Sequence, residues 1–143
     1  MTVPFNTQQA IERLRGELAA HGSLFIAFDF DNTIFDYHNS GRDCHDVIDL
    51  LRRCSGSSRN HTMILLTSNE DEEKLAFMRY YCRHFGIRID YVNENPIVCR
   101  GCRKPYYNIL LDDRAGLQEA CEVLTEVLNE ESPITDETKT TEQ

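Results

Sequence analysis

Short apolar runs alternate along the chain with longer segments whose apolar residues recur at helical spacing. The runs cover residues 24–29, 62–66, 87–92 and 107–111, and each has the length and composition of a strand. The helical patterns cover residues 5–21, 43–53, 70–86 and 116–129. Strands that alternate with helices form parallel sheets through right-handed crossovers, so the pattern predicts an α/β fold. We expect a Rossmann-like three-layer sandwich with a mainly parallel sheet.

Polar segments separate these elements. Asn6 or Thr7 can cap the first helix. Residues 32–41 are polar and irregular, and we interpret them as a short flap over the end of the first strand. Tyr37 and His38 in this flap either contact a substrate or only pack, and the sequence leaves both alternatives open. The other histidines are interpreted as surface or helix-end residues: His21, His45, His61 and His84.

The composition favours a single globular domain. The chain has 143 residues, of which 41% are hydrophobic and 27% charged, which suffices to bury a core without disulfides. We assign residues 1–130 to this domain. Residues 131–143 are polar and lack aromatic side chains, so we expect a disordered acidic tail there.

Charge and hydropathy narrow the class of partner. The formal net charge is −9, and nothing in the sequence resembles the broad basic face that a long nucleic acid requires. No apolar segment reaches membrane-spanning length and no secretion signal is recognised, so we expect a cytoplasmic protein with reduced cysteines. A small phosphorylated substrate is compatible with the acidic charge, because a bound cation reverses the local field.

Acidic residues follow two of the predicted strands. Asp29 and Asp31 end the first strand, and Asp112 and Asp113 end the last. The carboxyl ends of parallel strands lie on one edge of a sheet, which is where open α/β folds bind ligands. Carboxylates that crowd together there need a compensating cation, and a hard divalent ion such as Mg²⁺ prefers oxygen ligands. The sequence therefore predicts a metal site at this edge.

Two of these signals also have simpler explanations. Asp31 and Asn32 can end the strand in an Asx-type turn without binding anything. Cys99 and Cys102 have the spacing of half a zinc site, but a structural zinc site needs four ligands and no second pair stands nearby. We therefore favour loop thiols for the two cysteines.

Four motifs resemble those of the haloacid dehalogenase (HAD) superfamily of phosphohydrolases. The stretch Asp-Phe-Asp-Asn-Thr at 29–33 resembles the first motif, and Leu-Leu-Thr at 65–67 resembles the second. Lys104 resembles the third motif, and Leu-Leu-Asp-Asp at 110–113 the fourth. The motifs occur in the family's order and cover most of the chain from Leu24 to about Leu128, so the resemblance implies an HAD-like fold.

The resemblance also implies an Mg²⁺-dependent phosphatase that works through an aspartyl-phosphate. Asp29 would be the nucleophile, and Asp31 would act as general acid and then as base. Thr33 would brace the loop. Phosphate binding is expected of Thr67, Lys104, Asn32 and Ser68, and the magnesium site of Asp29, Asp31 through its carbonyl, Asp112 and Asp113.

The spacing of the motifs leaves no room for a cap domain. Asp29 and Thr67 are 38 positions apart, and Thr67 and Lys104 are 37 apart, and predicted elements fill both intervals. The resemblance then implies a capless member with an open site, acting on a nucleotide, a sugar phosphate or a polymer-end phosphate. A second subunit serves as a lid in some such relatives, so a homo-oligomer is compatible. Arg100 and Arg103 either attract anionic groups of the substrate or belong to a solvated loop.

Two other functions compete with the phosphatase. The first is a non-catalytic HAD-like protein that binds a metal or ligand in the same cleft, which ranks behind because the expected catalytic residue types are present. The second is a receiver domain, which also clusters acids, threonine and lysine on a parallel sheet. Its paired acids come early in the chain, whereas the adjacent pair comes last in this sequence.

Overall fold

A four-stranded, all-parallel sheet flanked by helices forms the protein, so the predicted α/β class and parallel sheet are confirmed. The computed structural model describes residues 6–96 and 101–141, with side chains described as far as residue 130. The strands are β1 (Phe25–Phe28), β2 (Thr62–Leu65), β3 (Tyr91–Val92) and β4 (Ile109–Leu111). The helices are α1 (Thr7–His21), α2 (His45–Ser55), α3 (Glu72–His84) and α4 (Leu117–Thr141).

The strand order β3-β2-β1-β4 makes β1 a central strand. Phe28 at its end is in register with Leu65 of β2 and Leu111 of β4. After β1 the chain continues to β2 on one side, whereas β4 lies on the other side. The order of the sheet therefore reverses between β1 and β4, and such switch points are where open parallel sheets bind ligands.

Burial explains why the strands read as continuous apolar runs. Ile26, Ala27 and Phe28 of β1 are fully buried, as are Met63 and Leu65 of β2. A parallel sheet is covered on both faces, so successive side chains are apolar although they point in opposite directions. α1 also packs against α4 beside this core.

The predicted cap of α1 is confirmed. The Asn6 side chain accepts the Gln9 N–H at 3.0 Å, and the Gln9 side chain accepts the Asn6 N–H at 2.9 Å. This reciprocal pair is a capping box. At the other end Gly22 has φ 81°, a left-handed conformation that costs glycine little, and its N–H donates to the Leu18 carbonyl at 2.7 Å.

Two strands are shorter than predicted because hydrogen bonds to a helix end or to side chains replace strand pairing. The Ile87 N–H donates to the Cys82 carbonyl at the end of α3, and the Arg88 N–H donates to the Ser55 hydroxyl. Regular pairing of β3 therefore begins only at Tyr91. In front of β4 the buried Asn108 side chain accepts the Phe25 N–H at 2.6 Å, in place of a ladder carbonyl.

α4 runs beyond the predicted end at residue 129, and its backbone is helical to Thr141, where we expected a disordered tail after residue 130. An ion pair supports the extension at its start: Arg15 of α1 donates to both carboxylate oxygens of Glu130, at 2.5 and 2.8 Å. The boundary of the domain itself stays a prediction. Among the described residues, no helix combines the length and apolar composition that crossing a bilayer requires.

His61 corrects the prediction that it is a surface residue, because its side chain is fully buried at the start of β2. Its Nδ1 accepts the Leu24 N–H at 3.0 Å, which requires that Nδ1 carry no proton and that the ring be neutral. Burial, with the nearby charges of Arg59 and Arg88, lowers the pKa of His61 from 6.5 to about 4. The sequence missed this residue since a single histidine before an apolar run carries no burial signal.

We expect the free energy of unfolding to depend less on pH between pH 7 and pH 4 in His61→Asn than in the wild type. The unfolded chain binds a proton at His61 below pH 6.5, whereas the folded chain resists it down to about pH 4. The free energy of unfolding therefore falls as pH drops through this window, by at most about 3 kcal/mol. Asparagine can accept the Leu24 N–H without titrating. Urea titrations from pH 7 to pH 4 test this, with the exposed His21→Asn as control, and equal slopes for wild type and His61→Asn contradict it.

Candidate functional site

A pocket of about 540 Å³, here called the acid pocket, opens where the strands end. Nine predicted site residues line it: Asp29, Asp31, Asn32, Tyr37, His38, Thr67, Ser68, Asp112 and Asp113. The structure thus gathers residues that are up to 84 positions apart in the sequence, from Asp29 to Asp113, around one cavity. The lining also includes residues that sequence reasoning missed, namely Leu66, Asn93, Pro105 and Arg114.

Asp29, Asp112 and Asp113 form a three-acid group, in which one carboxylate oxygen from each lies within 4.8 Å of the others. The strand register causes this. The Asp29 N–H donates to the Leu111 carbonyl at 2.9 Å, which extends the β1–β4 ladder by one residue and sets Asp29 abreast of Asp112. Burial and the charge of Asp112 raise the pKa of Asp29 from 3.8 to about 6.

Thr33 connects the two chain segments that carry these acids. Its hydroxyl is buried, accepts the Asp113 N–H at 3.1 Å and lies 3.2 Å from Asp29 Oδ2, to which it can donate. One side chain therefore fixes the distance between the β1 end and the β4 end. This bracing role agrees with the expectation for Thr33.

Replacing Thr33 with valine is expected to destabilise the fold by about 1–3 kcal/mol, because the part-buried Asp113 N–H and an Asp29 oxygen lose their partner. Thr33→Ser keeps the hydroxyl and should cost less than about 1 kcal/mol. Urea unfolding of the two variants beside wild type measures the difference. Equal losses for valine and serine would show that packing, and not the hydroxyl, matters at this position.

Asp31 lies in the acid pocket, but its side chain is not part of the three-acid group. The loop bends sharply here, with Asn32 at φ 63° and the Phe30 carbonyl accepting the N–H groups of residues 33, 34 and 35. Buried Phe30 holds the bend by stacking on Phe35, with ring centres 5.4 Å apart. Burial raises the pKa of Asp31, against the opposing effects of the Asn69 side chain, Lys74 and His38.

The donors around the three-acid group suit a hard cation. The Asn32 Oδ1 atom is buried at the pocket, and no described residue donates a hydrogen bond to it. This amide oxygen and the three carboxylates all belong to residues that line one pocket, and oxygen ligands are those that Mg²⁺ prefers. Burial first and the charge of Asp112 second raise the pKa of Asp29, and a bound cation would offset both effects.

Thr67 and Ser68 occupy the end of β2. The Thr67 hydroxyl accepts the Asn69 backbone N–H at 3.2 Å, so its own proton is available to a ligand. The Thr67 N–H donates to the Asn93 side chain at 2.8 Å. Asn93 therefore positions Thr67 from the end of β3. Asn93 itself has a left-handed φ of 53°, which turns the chain after β3.

The flap of residues 32–41 is organised by Asp36, which sequence reasoning did not single out. Its carboxylate accepts the backbone N–H groups of Ser40, Gly41 and Arg42 at 2.9–3.1 Å. These hydrogen bonds lower the pKa of Asp36. Tyr37 next to it is 56% exposed, and its ring meets that of His38 edge to face at 5.1 Å. An exposed aromatic pair therefore stands at the mouth of the acid pocket.

Lys104 is not among the residues that line the acid pocket. It lines a separate cavity of about 620 Å³ beside β4, here called the edge groove. Asn95 holds the loop in this course: its amide nitrogen donates to the Cys102 carbonyl at 2.7 Å and to the Lys104 carbonyl at 3.1 Å. Pro105, the next residue, lines both cavities.

The remaining predicted contacts and the cysteine pair come from residues 99–103. Arg103 is exposed and lines neither cavity, and Arg100 and Cys99 lie outside the described residues. Cys102 is a free, exposed thiol. Within the described residues, the three-acid group is the one cluster of histidine, cysteine or acidic side chains that could hold a metal.

Comparisons with known proteins support the fold. No family model matches the chain, and no curated protein matches it. A solved structure described as a conserved protein from Bacteroides thetaiotaomicron is similar, with a TM-score of 0.53 and 26% sequence identity. The alignment covers 66% of this chain and 78% of that chain. The chain therefore shares its α/β architecture with a solved bacterial protein.

Proposed function

We propose that the protein is a capless, HAD-type, Mg²⁺-dependent phosphomonoesterase that forms an aspartyl-phosphate on Asp29. The three-acid group carries this proposal, because it brings carboxylates from two strand ends to the switch point of the sheet. Asp31 stands apart in the same pocket, as an acid–base group should if it is to handle the leaving oxygen. The short connection from β1 to α2, with only the flap in it, supports an open site.

The first step is attack by an Asp29 oxygen on phosphorus, which breaks the bond from phosphorus to the leaving oxygen. Thr33 engages Oδ2, so Oδ1 is the oxygen better suited to attack. Asp31 donates its proton to the leaving oxygen, and its raised pKa favours the protonated form that this requires. The products of this step are the free alcohol, the aspartyl-phosphate and the Asp31 carboxylate.

The second step regenerates the carboxylate. Asp31 takes a proton from water, the water oxygen attacks phosphorus, and the bond to Asp29 breaks, which releases inorganic phosphate. The Thr67 hydroxyl, which accepts from Asn69, can donate to a phosphoryl oxygen during both steps. Bound Mg²⁺ would supply positive charge that lets the dianionic phosphoryl group approach the acids, and Asp29, Asp112 and Asp113 would hold it.

A phosphate-release screen tests this function. Nucleotides, sugar phosphates, polymer-end phosphates and an aryl phosphate are each incubated with Mg²⁺ or with EDTA. We expect release with Mg²⁺ only, and none from Asp29→Asn. Mg²⁺ should also raise the melting temperature of the wild type and should raise it less in Asp112→Asn. Release that persists in EDTA and in Asp29→Asn would exclude the proposal.

The position of Lys104 favours a second candidate, a non-catalytic protein that binds a metal or a phosphorylated ligand in the acid pocket. Phosphoryl transfer uses fixed cations on the transferring oxygens, and Lys104 lines the edge groove instead. This candidate predicts tight binding of a phosphorylated ligand with Mg²⁺ and no release of phosphate. The same screen, followed by calorimetry, separates the two.

A further inference from the structure

We propose that Arg114 recognises a second anionic group on the substrate, so that the preferred substrate carries a carboxylate or a further phosphate besides the phosphoryl group that is cleaved. This proposal deepens the proposed function and rests on it for the identity of the cleaved group. Sequence reasoning looked for such a cation at Arg100 and Arg103, whereas Arg114 is the arginine that lines the acid pocket.

The backbone around Arg114 is fixed. The Ala115 N–H donates to the Asp112 carbonyl at 2.9 Å and closes a turn over residues 112–115. The Arg114 N–H donates to the Asp112 carboxylate at 2.9 Å. These two bonds hold Arg114 at the rim directly after the acidic pair, so the origin of its side chain is set by residues of the site itself.

The guanidinium of Arg114 forms no ion pair with the side chains that the structure describes. It is exposed, and no carboxylate among the described side chains pairs with it, although acids surround the pocket that it lines. Other exposed arginines do pair: Arg15 with Glu130, and Arg52 with Asp49. A planar guanidinium binds carboxylate and phosphate through two parallel hydrogen bonds, so an unpaired one at a pocket rim suits an anionic ligand.

The layout of the pocket assigns the second anion to the leaving group. Asp29 lies between the β2 end, with Thr67 and Ser68, and the β4 end, with Arg114. A phosphoryl group on Asp29 that is bound from the Thr67 side leaves the Arg114 side to the rest of the substrate. A neutral leaving group would leave the guanidinium unused there.

Matched substrate pairs test this inference. Glycerol 3-phosphate is compared with 3-phosphoglycerate, which adds a carboxylate, and adenosine 5′-phosphate with adenosine 3′,5′-bisphosphate, which adds a phosphate. We expect kcat/KM of the wild type to favour the doubly anionic member of at least one pair by roughly 10- to 100-fold. Arg114→Gln should remove most of this ratio, and Arg114→Lys should keep part of it, because lysine retains the charge but not the paired donors. The pair that responds identifies the anion.

Arg83→Gln is the matched control, since Arg83 is exposed in the last turn of α3, at the end of the helix that points away from the strand ends. An unchanged ratio in Arg114→Gln, or an equal change in Arg83→Gln, would overturn the inference. A binding experiment distinguishes failure of this inference from failure of the proposed function. If no phosphoester is cleaved, calorimetry with pyrophosphate and with inorganic phosphate, each with Mg²⁺, decides. Pyrophosphate binding that is tighter than phosphate binding and is weakened by Arg114→Gln would support the inference. Equal binding of pyrophosphate by the wild type and Arg114→Gln, or no binding of pyrophosphate, would reject it.

Discussion

Asp29→Asn is expected to abolish phosphate release while making the metal-free protein more stable. An amide oxygen is a poor nucleophile, so we expect turnover to fall by at least roughly 10⁴-fold, as when other covalent catalysts lose their nucleophile. Asparagine has nearly the same shape, so the fold should persist. Loss of activity without loss of stability distinguishes a chemical role from a structural one.

The gain in stability follows from the three-acid group. The folded pKa of Asp29 is raised to about 6, so ionising this group costs folding energy. Its contribution to stability is present below the unfolded pKa, near 3.8, and is lost as pH rises through 6. At pH 7.5 in EDTA we therefore expect Asp29→Asn to be more stable by about 1–2 kcal/mol, after allowance for solvent screening.

The pH dependence of the gain in stability shows whether the gain comes from the ionisation of Asp29. It should vanish near pH 4, where wild-type Asp29 is protonated. Glu126→Gln, which removes an exposed acid of α4, should change neither activity nor stability appreciably. Release of phosphate by Asp29→Asn at a rate near wild type would contradict the covalent mechanism, and a loss of stability at pH 7.5 would contradict the account of the acid cluster.

Asp31→Asn is expected to slow turnover by roughly 10²- to 10⁴-fold and to trap the phosphoenzyme. Without the acid, the first step depends on the leaving group, so an aryl phosphate should suffer less than an alkyl phosphate. Without the base, the second step slows for every substrate. With the aryl phosphate, intact-mass measurement should therefore find the chain carrying one phosphoryl group.

The site of labelling provides the check on Asp31→Asn. Peptide mapping after reduction with borohydride should locate the phosphoryl group on Asp29, and the Asp29→Asn, Asp31→Asn double variant should carry none. Equal losses on aryl and alkyl phosphates, with no labelled protein, would assign Asp31 a role in structure or in metal binding rather than in proton transfer.

Most of the fold could be predicted from the sequence because the apolar periods reflect burial directly. β1 and β2 lie within the predicted runs, and α1 begins and ends at residues with recognisable cap chemistry. The errors fall where side chains or helix ends replace strand pairing, at Ile87 and Asn108, and at the end of α4, which runs past Glu130. The contact between Asn108 and Phe25 joins residues 83 positions apart, and no local pattern encodes it.

The acidic half of the candidate site was predictable and the basic half was not. Asp29 and the pair Asp112–Asp113 follow strands, so the parallel topology alone brings them together. Lys104 and Arg114 belong to a loop and a turn, whose course depends on hydrogen bonds from Asn95 and Asp112. Spacing along the chain says little about where such a side chain ends, so it does not reveal that Lys104 lines the edge groove and Arg114 the acid pocket.

The register of β1 has a consequence for how this chain can change in length. Side chains alternate between the two faces of a strand. One residue gained or lost between Leu24 and Asp29 would therefore move Asp29 out of register with Asp112 and place Phe28 or Phe30 at its position. A substitution within β1 alters only the packing, whereas such a shift of register would separate the acids of the three-acid group. Relatives that keep the chemistry should therefore tolerate insertions in the flap and hold the length of this strand constant.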